Sequence, residues 1–445
     1  MSKTNDQDML SIAQACIGIA KNAGAKDAAA RAYRVRDVSL DYRDDKVERI
    51  SESTTRGVNI QLYVDGRFSS ASTSDLRPDA LKTFITDAVA LAKTISADPF
   101  RALPDPALYK GQPAVDLQLE DPKYATVTAD EGRKIAKVMH DAAKTVKGAD
   151  SFLSISSSFS SNLVENWMVT SNGFSGATRG TSFFLSADMS AKDADGRRPE
   201  ESAYGGSRFW GSVPDAATIG KEAARRTLSR LGSKKGETAE MTVVIDNRAG
   251  GRLVGMLNQA LSGASLQQKR SFLEGKLGQQ IVSPLVSITD DPLIAKGFGS
   301  RKFDGEGIAA KPRPIVENGV LKSYYIDTYY GRKLKMEPTT GSPSNLTWKL
   351  GQKSQQALLG DIRNGLLITS FIGGNSNSGT GDFSVGVVGF MIRDGVIAEP
   401  VSEMNLSGNH LDFWKKLVAI GNDPFPYSAL RTPTLVFDAV SVAGT

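Results

Sequence analysis

Apolar residues recur at helical spacing near the start of the chain. Met9, Ile12, Ala13, Cys16, Ile19 and Ala20 fall on one stripe, and Gly24 follows as a stop. Cys16 lies on that stripe and reads as a buried structural thiol. From residue 28 to 73 the period changes to two. Val38, Leu40 and Tyr42 alternate with polar residues, as do Val58, Ile60 and Leu62, and Asp65-Gly66 marks a tight hairpin turn. Three or four antiparallel strands are predicted here. Pro78 opens a second helix, whose apolar face carries Leu81, Phe84, Ile85, Ala88, Leu91, Ala92 and Ile95.

Residues 99–122 hold five of the 18 prolines and read as an extended connector. Thr128 and Glu131 form a capping box for a helix running to about residue 146. Its apolar side carries Ile135, Val138 and Ala142. His140 lies off this stripe and is expected at a solvated helix surface. Residues 151–210 alternate as a β-meander that turns at Asn172-Gly173 and again near Asp195-Gly196. A helix over about 215–231 ends near residues 232–236, the expected main boundary. Arg225, Arg226, Arg230, Lys234 and Lys235 complement the negative end of that helix; an anion or nucleic-acid site is the alternative.

Beyond Met241 the pattern is β-rich. MTVVID is a buried strand and 248–262 a short helix. Asn318-Gly319 joins strands 311–317 and 320–327, and Asp394-Gly395 joins 383–393 and 396–401. Further helices are predicted at about 328–335, 354–363 and 410–419. The fold class is therefore α+β: an N-terminal mixed region of antiparallel strands and long helices, then a largely antiparallel β domain with a few helices. The segments are 1–112, 113–235 and 236–445, in keeping with a prior of roughly two to four domains for this length.

Composition narrows the function. Hydrophobic residues make up 40% and charged residues 23% of 445, as in an ordinary globular chain. Lys+Arg 54 against Asp+Glu 49 leaves +5, too small for a nucleic-acid footprint. No apolar run reaches 18 residues, and the N-terminus lacks a signal-peptide pattern, so a cytoplasmic protein without a membrane span is expected. The single cysteine forms no intrachain disulfide, which suits a reducing compartment. With two histidines, His140 and His410, imidazole and thiolate ligands for zinc are scarce. P-loop, dinucleotide-binding and Gly-x-Ser-x-Gly motifs are missing.

One segment has candidate binding chemistry: GGNSNSGTGDFS, residues 373–384. Its glycines permit close backbone approach, and Asn375, Asn377, Gly379, Gly381 and Asp382 are the candidate substrate or partner contacts. An ordinary flexible connection is the competing reading. A second cluster, Asp290, Asp291, Asp304 and Glu306, has oxygen ligands suited to a hard cation, but Asp-Pro and Asp-Gly turns explain most of it.

Nine motifs run in order along nearly the whole chain: YVDGRFSSAST (63–73), LPDP (103–106), SNGFSG (171–176), FLEGKLGQ (272–279), TDDP (289–292), FDGEG (303–307), ENGVLKSYYIDTYYGRKL (317–334), GTGDFS (379–384) and IGND (420–423). In these the sequence resembles the TldD/PmbA family, known as modulators of DNA gyrase and as zinc peptidases. The resemblance implies two branches. TldD-like chains bind zinc through a His-Glu-x-x-x-His helix and a C-terminal cysteine; PmbA chains, also called TldE, lack these and pair with a TldD-like chain. Counted back without gaps from FLEGKLGQ, the metal motif would fall at 255–260, where Gly255, Met256 and Ala260 stand in place of His, Glu and His. The tail after IGND has no cysteine.

The chain thus resembles the PmbA/TldE branch. That implies a non-catalytic subunit of a heteromeric zinc metallopeptidase acting on unfolded or extended peptides. No cofactor is expected in this chain and no catalytic residue is assigned to it; the zinc would belong to the TldD-like partner. A homodimer in the partner's absence is compatible with the sequence. The alternatives are a stand-alone peptidase with an unrecognised site and a protein-binding modulator of DNA gyrase.

Overall fold

The computed structural model describes residues 3–444. Its elements run, in chain order, α1 (Lys3–Asn22), β1 (Asp27–Arg43), β2 (Lys46–Val64), β3 (Arg67–Thr73), α2 (Pro78–Ala92), α3 (Ala129–Lys144), β4 (Phe152–Thr170), β5 (Ser175–Ala191), β6 (Glu200–Ser207) and α4 (Ala216–Leu228). The second half adds β7 (Ala239–Ile245), α5 (Asn247–Ala260), α6 (Gly263–Gln267), β8 (Ile288–Asp290), β9 (Arg313–Glu317), β10 (Val320–Leu321), α7 (Thr328–Leu334) and β11 (Leu346–Trp348). It closes with α8 (Gln355–Gly360), β12 (Asn364–Ser376), β13 (Asp382–Arg393), β14 (Val396–Asn409), α9 (His410–Phe413), β15 (Leu417–Ile420) and β16 (Leu435–Ala443).

Two tight turns set the first meander. Asp44-Asp45 and Asp65-Gly66 all have positive φ, the geometry that matches the twist of an antiparallel hairpin. β1 then pairs with β4 along its length, Ala30 opposite Val169 and Leu40 opposite Phe159. The six strands form one antiparallel sheet, β3-β2-β1-β4-β5-β6. Segments 1–112 and 113–235 therefore share a sheet. Alternation decides its faces. Ala28, Ala30, Ala32, Val38 and Leu40 of β1 point to the same side as Phe159, Leu163 and Trp167 of β4, and all are buried. The four helices cover this side: α1 and α2 pack with Ile60 and Leu62, α3 and α4 with Phe183 and Leu185. The opposite side carries Arg31, Ser158, Ser160, Asn162 and Asn166.

The second half is built on a mixed sheet, β14-β13-β12-β7-β16-β15, with β12 and β7 parallel and the other pairs antiparallel. β14 also pairs with β16 through Leu406 and Val442, which folds the sheet back on itself at that end. α5 packs Leu253, Val254 and Leu257 against Ile245, Val385 and Phe437. A four-stranded sheet, β10-β9-β8-β11, flanks it.

Several expectations change. His140 is fully buried, not solvated. Its ring meets the edge of Tyr42, and its Nε2 lies 3.4 Å from the Asp45 amide, because α3 packs beneath the β1–β2 turn. In α2 the buried stripe runs through Leu81, Ile85, Val89 and Ala92, which leaves Leu91 on the outer face, and the exposed Ile95 lies beyond the helix end at Ala92. The predicted helix 410–419 stops at Phe413 and, after a single 3₁₀ turn, becomes β15. The strand predicted at 320–327 is only two residues long. Arg226 and Arg230 reach back to Glu201 of β6, so part of the basic cluster is consumed in ion pairs.

Candidate functional site

The Gly/Asn/Ser segment is mostly strand. β12 continues to Ser376 and β13 begins at Asp382, so only residues 377–381 form the turn. The long flexible connection is corrected to a tight hairpin tip. Its polar groups are used internally. Asn377 Oδ1 accepts the Gly379 amide at 2.9 Å, and its backbone exchanges hydrogen bonds with Asp382 and Gly381. Asp382 accepts from Thr380 Oγ1 at 2.7 Å and from Asn409 Nδ2 at 3.0 Å. Those two bonds hold its carboxyl below the usual range. Asn375 pairs with Ser384 in the ladder and is exposed. Gly381 has φ +85°, and a Cβ there would lie 3.1 Å from Phe272.

His410 lies just beneath this tip. It is fully buried, stacked between Phe383 and Phe272 at centroid distances of 4.7 and 5.5 Å. Its Nε2 lies 3.0 Å from Ser376 Oγ, while Nδ1 is buried without a hydrogen-bond partner. Burial lowers its pKa to about 4. A serine-histidine pair needs a basic imidazole held in one tautomer by a third group. This imidazole has neither property, so the pair reads as a packed strut.

The positions at which the resemblance would place a metal motif, 255–260, lie on α5. Gly255 is exposed, Met256 packs partly against the core and Ala260 is buried. None of the three offers the imidazole, carboxylate or thiolate that zinc takes. Among the described residues, the one group of converging metal-type donors is Asp45, His140 and Asp141, in the other half of the chain. There Asp45 is paired with Lys144 and Asp141 with Lys137. Those ion pairs engage both carboxylates of that group, and at 255–260 no side chain offers a zinc ligand or a general base.

The acidic cluster has turn and capping roles. Asp291 Oδ1 accepts the Leu293 amide, and Asp304 Oδ1 accepts those of Glu306 and Ile308. Asp290 accepts the Ser344 amide at 2.7 Å. Glu306 Oε2 accepts the amide and hydroxyl of Thr328 at 2.8 and 2.9 Å, at the start of α7. Burial pushes the Glu306 carboxyl up to about 7.

Sequence reasoning missed a groove of about 330 Å³ between the open side of the N-terminal sheet and the segment 300–305. Arg31, Asn166, Thr178, Ser182, Arg208 and Arg301 contribute to its walls. The FDGEG motif was the available signal, since Phe303, Asp304 and Gly305 form one side.

Three family profiles cover the chain in order: "PmbA/TldA metallopeptidase domain 1" over residues 28–92, "central domain" over 122–231 and "C-terminal domain" over 238–444. Metalloprotease PmbA of Escherichia coli O157:H7 is 30% identical over 413 residues, 92% of this chain and 90% of the relative. The chain belongs to the PmbA/TldD family. Within that family, a Bacteroides thetaiotaomicron protein described as a candidate modulator of DNA gyrase superposes with TM-score 0.95 at 36% identity, covering 100% of both chains. TldE from Thermococcus kodakarensis shares the fold, with TM-score 0.84 at 19% identity over 97% of this chain and all of the other. The PmbA/TldD C-terminal domain contains α5, the hairpin tip and His410. No helix among the described residues is long and apolar enough to cross a membrane.

Proposed function

We propose that this chain is the non-catalytic subunit of a TldD/TldE-type heteromeric zinc metallopeptidase that degrades or processes unfolded peptides. The reading rests on α5: counted without gaps from FLEGKLGQ, the His, Glu and His of the TldD-like motif would fall at Gly255, Met256 and Ala260. The two histidines are committed to packing, His140 under the β1–β2 turn and His410 between two phenylalanines. The similarity to Metalloprotease PmbA over nine-tenths of both chains supports a role in proteolysis. The partner supplies the zinc and this chain supplies a wall of the peptide chamber, in the cytoplasm.

The test is co-expression with a TldD-like subunit, followed by size-exclusion chromatography, elemental analysis and a casein-fragment assay. A stable complex is expected, with zinc in the partner and cleavage that needs both chains. Full activity of the TldD-like chain alone would remove the required-subunit role. About one tightly held zinc per isolated chain would overturn the branch assignment, and peptide cleavage by the isolated chain would favour a stand-alone peptidase.

A further inference from the structure

The groove beside β1, β4 and β5 holds guanidinium groups whose hydrogen bonds go to neutral acceptors; Asp304 lies near Arg31 and Asp290 near Arg301, whereas no acid offsets the burial of Arg208. Arg31 donates from Nη2 to the Gly305 carbonyl at 2.9 Å and lies 3.8 Å from Met168 Sδ. Arg208 donates from Nε to Gly297 O at 2.9 Å, from Nη1 to Thr181 O at 3.2 Å and from Nη2 to Phe298 O at 2.7 Å. Arg301 donates to the carbonyls of Ser342 and Pro343. All of these acceptors are neutral. They satisfy hydrogen-bonding geometry and leave the positive charge in place.

The lining balance is uneven. Arg31, Arg208 and Arg301 face a single acid in the lining, Asp304. A fourth lining arginine, Arg179, is already paired with Glu120 and Glu165. Burial lowers the pKa of both Arg31 and Arg208, and Asp304 offsets this only for Arg31. A partly desolvated cation is costly unless a counter-charge meets it.

The backbone is arranged to admit the cation. Gly180 of β5 has no side chain, and a Cβ there would stand 2.9 Å from Arg208 Nη1. Asn166, Thr178 and Ser182 project neutral hydrogen-bonding groups from β4 and β5 into the same space. A guanidinium with neutral donors beside it suits a planar carboxylate, which accepts two hydrogen bonds in parallel.

We propose that this groove binds a carboxylate of an extended peptide, through Arg31 and Arg208, with Asn166, Thr178 and Ser182 beside the adjoining backbone. The proposal deepens the peptide-handling role given above and rests on it. The carboxylate is either the C-terminal α-carboxylate or an acidic side chain, and the two are separable by experiment.

The experiment measures fluorescence anisotropy of three N-terminally labelled hexapeptides with the full chain. One has a free C-terminus, one is amidated with no acidic residue, and one is amidated with an internal Glu. Either acidic peptide should bind about tenfold more tightly than the neutral amide, as expected for a charge-assisted hydrogen bond. The tighter of the two identifies the source. Arg31→Gln should abolish that advantage, so that the acidic peptide binds no more tightly than the neutral amide. Equal affinity for all three peptides would overturn the proposal, and this comparison on the unmodified chain needs no variant to fold. An unchanged acidic preference in a folded R31Q chain would also overturn it. The co-expression assay reports separately: an active complex with no acidic preference removes the groove but keeps the subunit role, and the reverse result removes the subunit role but keeps the groove.

Discussion

Ser376 Oγ lies 3.0 Å from His410 Nε2, joining the end of β12 to the first residue of α9. The other ring nitrogen, Nδ1, is buried without a hydrogen-bond partner. The ring is fixed by Phe272 and Phe383 rather than by charge.

The first prediction concerns acid. Burial depresses the His410 pKa from 6.5 to about 4. Between those values the unfolded chain binds a proton that the folded chain refuses, so stability falls as pH drops from 6.5 through 4. The loss from this group is at most ~3 kcal/mol. His410→Gln should remove that contribution. Urea unfolding of both proteins at pH 7.5 and pH 4.5 measures it; equal changes in the two would show that the imidazole does not titrate this way.

Glu306 has the opposite sign. Its carboxyl is raised from 4.5 to about 7, chiefly by burial. The folded chain keeps a proton that the unfolded chain releases, so this group lowers stability as pH rises from 4.5 through 7. Glu306→Gln keeps an acceptor for Thr328 and should stabilise the chain more at pH 8 than at pH 5, by up to ~3 kcal/mol. Melting temperatures of the two proteins at both pH values decide the point, and a pH-independent difference would contradict it.

Glu165 is 1% exposed and lies between Arg34 and Arg179, with Arg179 Nη1 at 3.0 Å. Removing the buried acid leaves two guanidiniums facing each other across β1, β4 and β5. Glu165→Ala is expected to cost ~3 kcal/mol, the low end for breaking a buried ion pair, because both guanidiniums are partly exposed and Arg179 keeps Glu120. Chemical denaturation measures it; a loss below about 1 kcal/mol would place the pair in the surface class.

Gly381 sits at φ +85° with Phe272 and Asn409 close by, and its carbonyl accepts the His410 amide. Gly381→Ala should cost about 1 kcal/mol or more through the incompatible φ and the crowding. At Gly379 the nearest atom to an added Cβ is the Asn377 side-chain oxygen, at 3.2 Å. Gly379→Ala should therefore cost less. Thermal melts of the two variants test the ranking, and the reverse order would remove the structural role of Gly381.

Local features were legible without tertiary structure. The Asp65-Gly66, Asn318-Gly319 and Asp394-Gly395 turns, the Pro78 helix start and the Thr128 cap all stand where the pattern puts them. Each depends on dihedral preferences or hydrogen bonds within a few residues. The candidate contacts at 373–384 were legible as chemistry but not as conformation. The glycines look like flexibility in isolation, whereas pairing with β13 turns most of the segment into strand.

The sequence by itself determined the α+β class, the order of helices and strands in the first half and the family, and it left residues 255–260 without zinc donors. These are properties of residue identity and short-range periodicity. Only the tertiary structure decided that β1 joins β4 in one sheet, that His140 is buried and that Arg31, Arg208 and Asp304 share a groove. Those relations bring together residues far apart in the chain. Each is the sum of many weak packing and pairing contacts, and no local pattern records which distant partner wins.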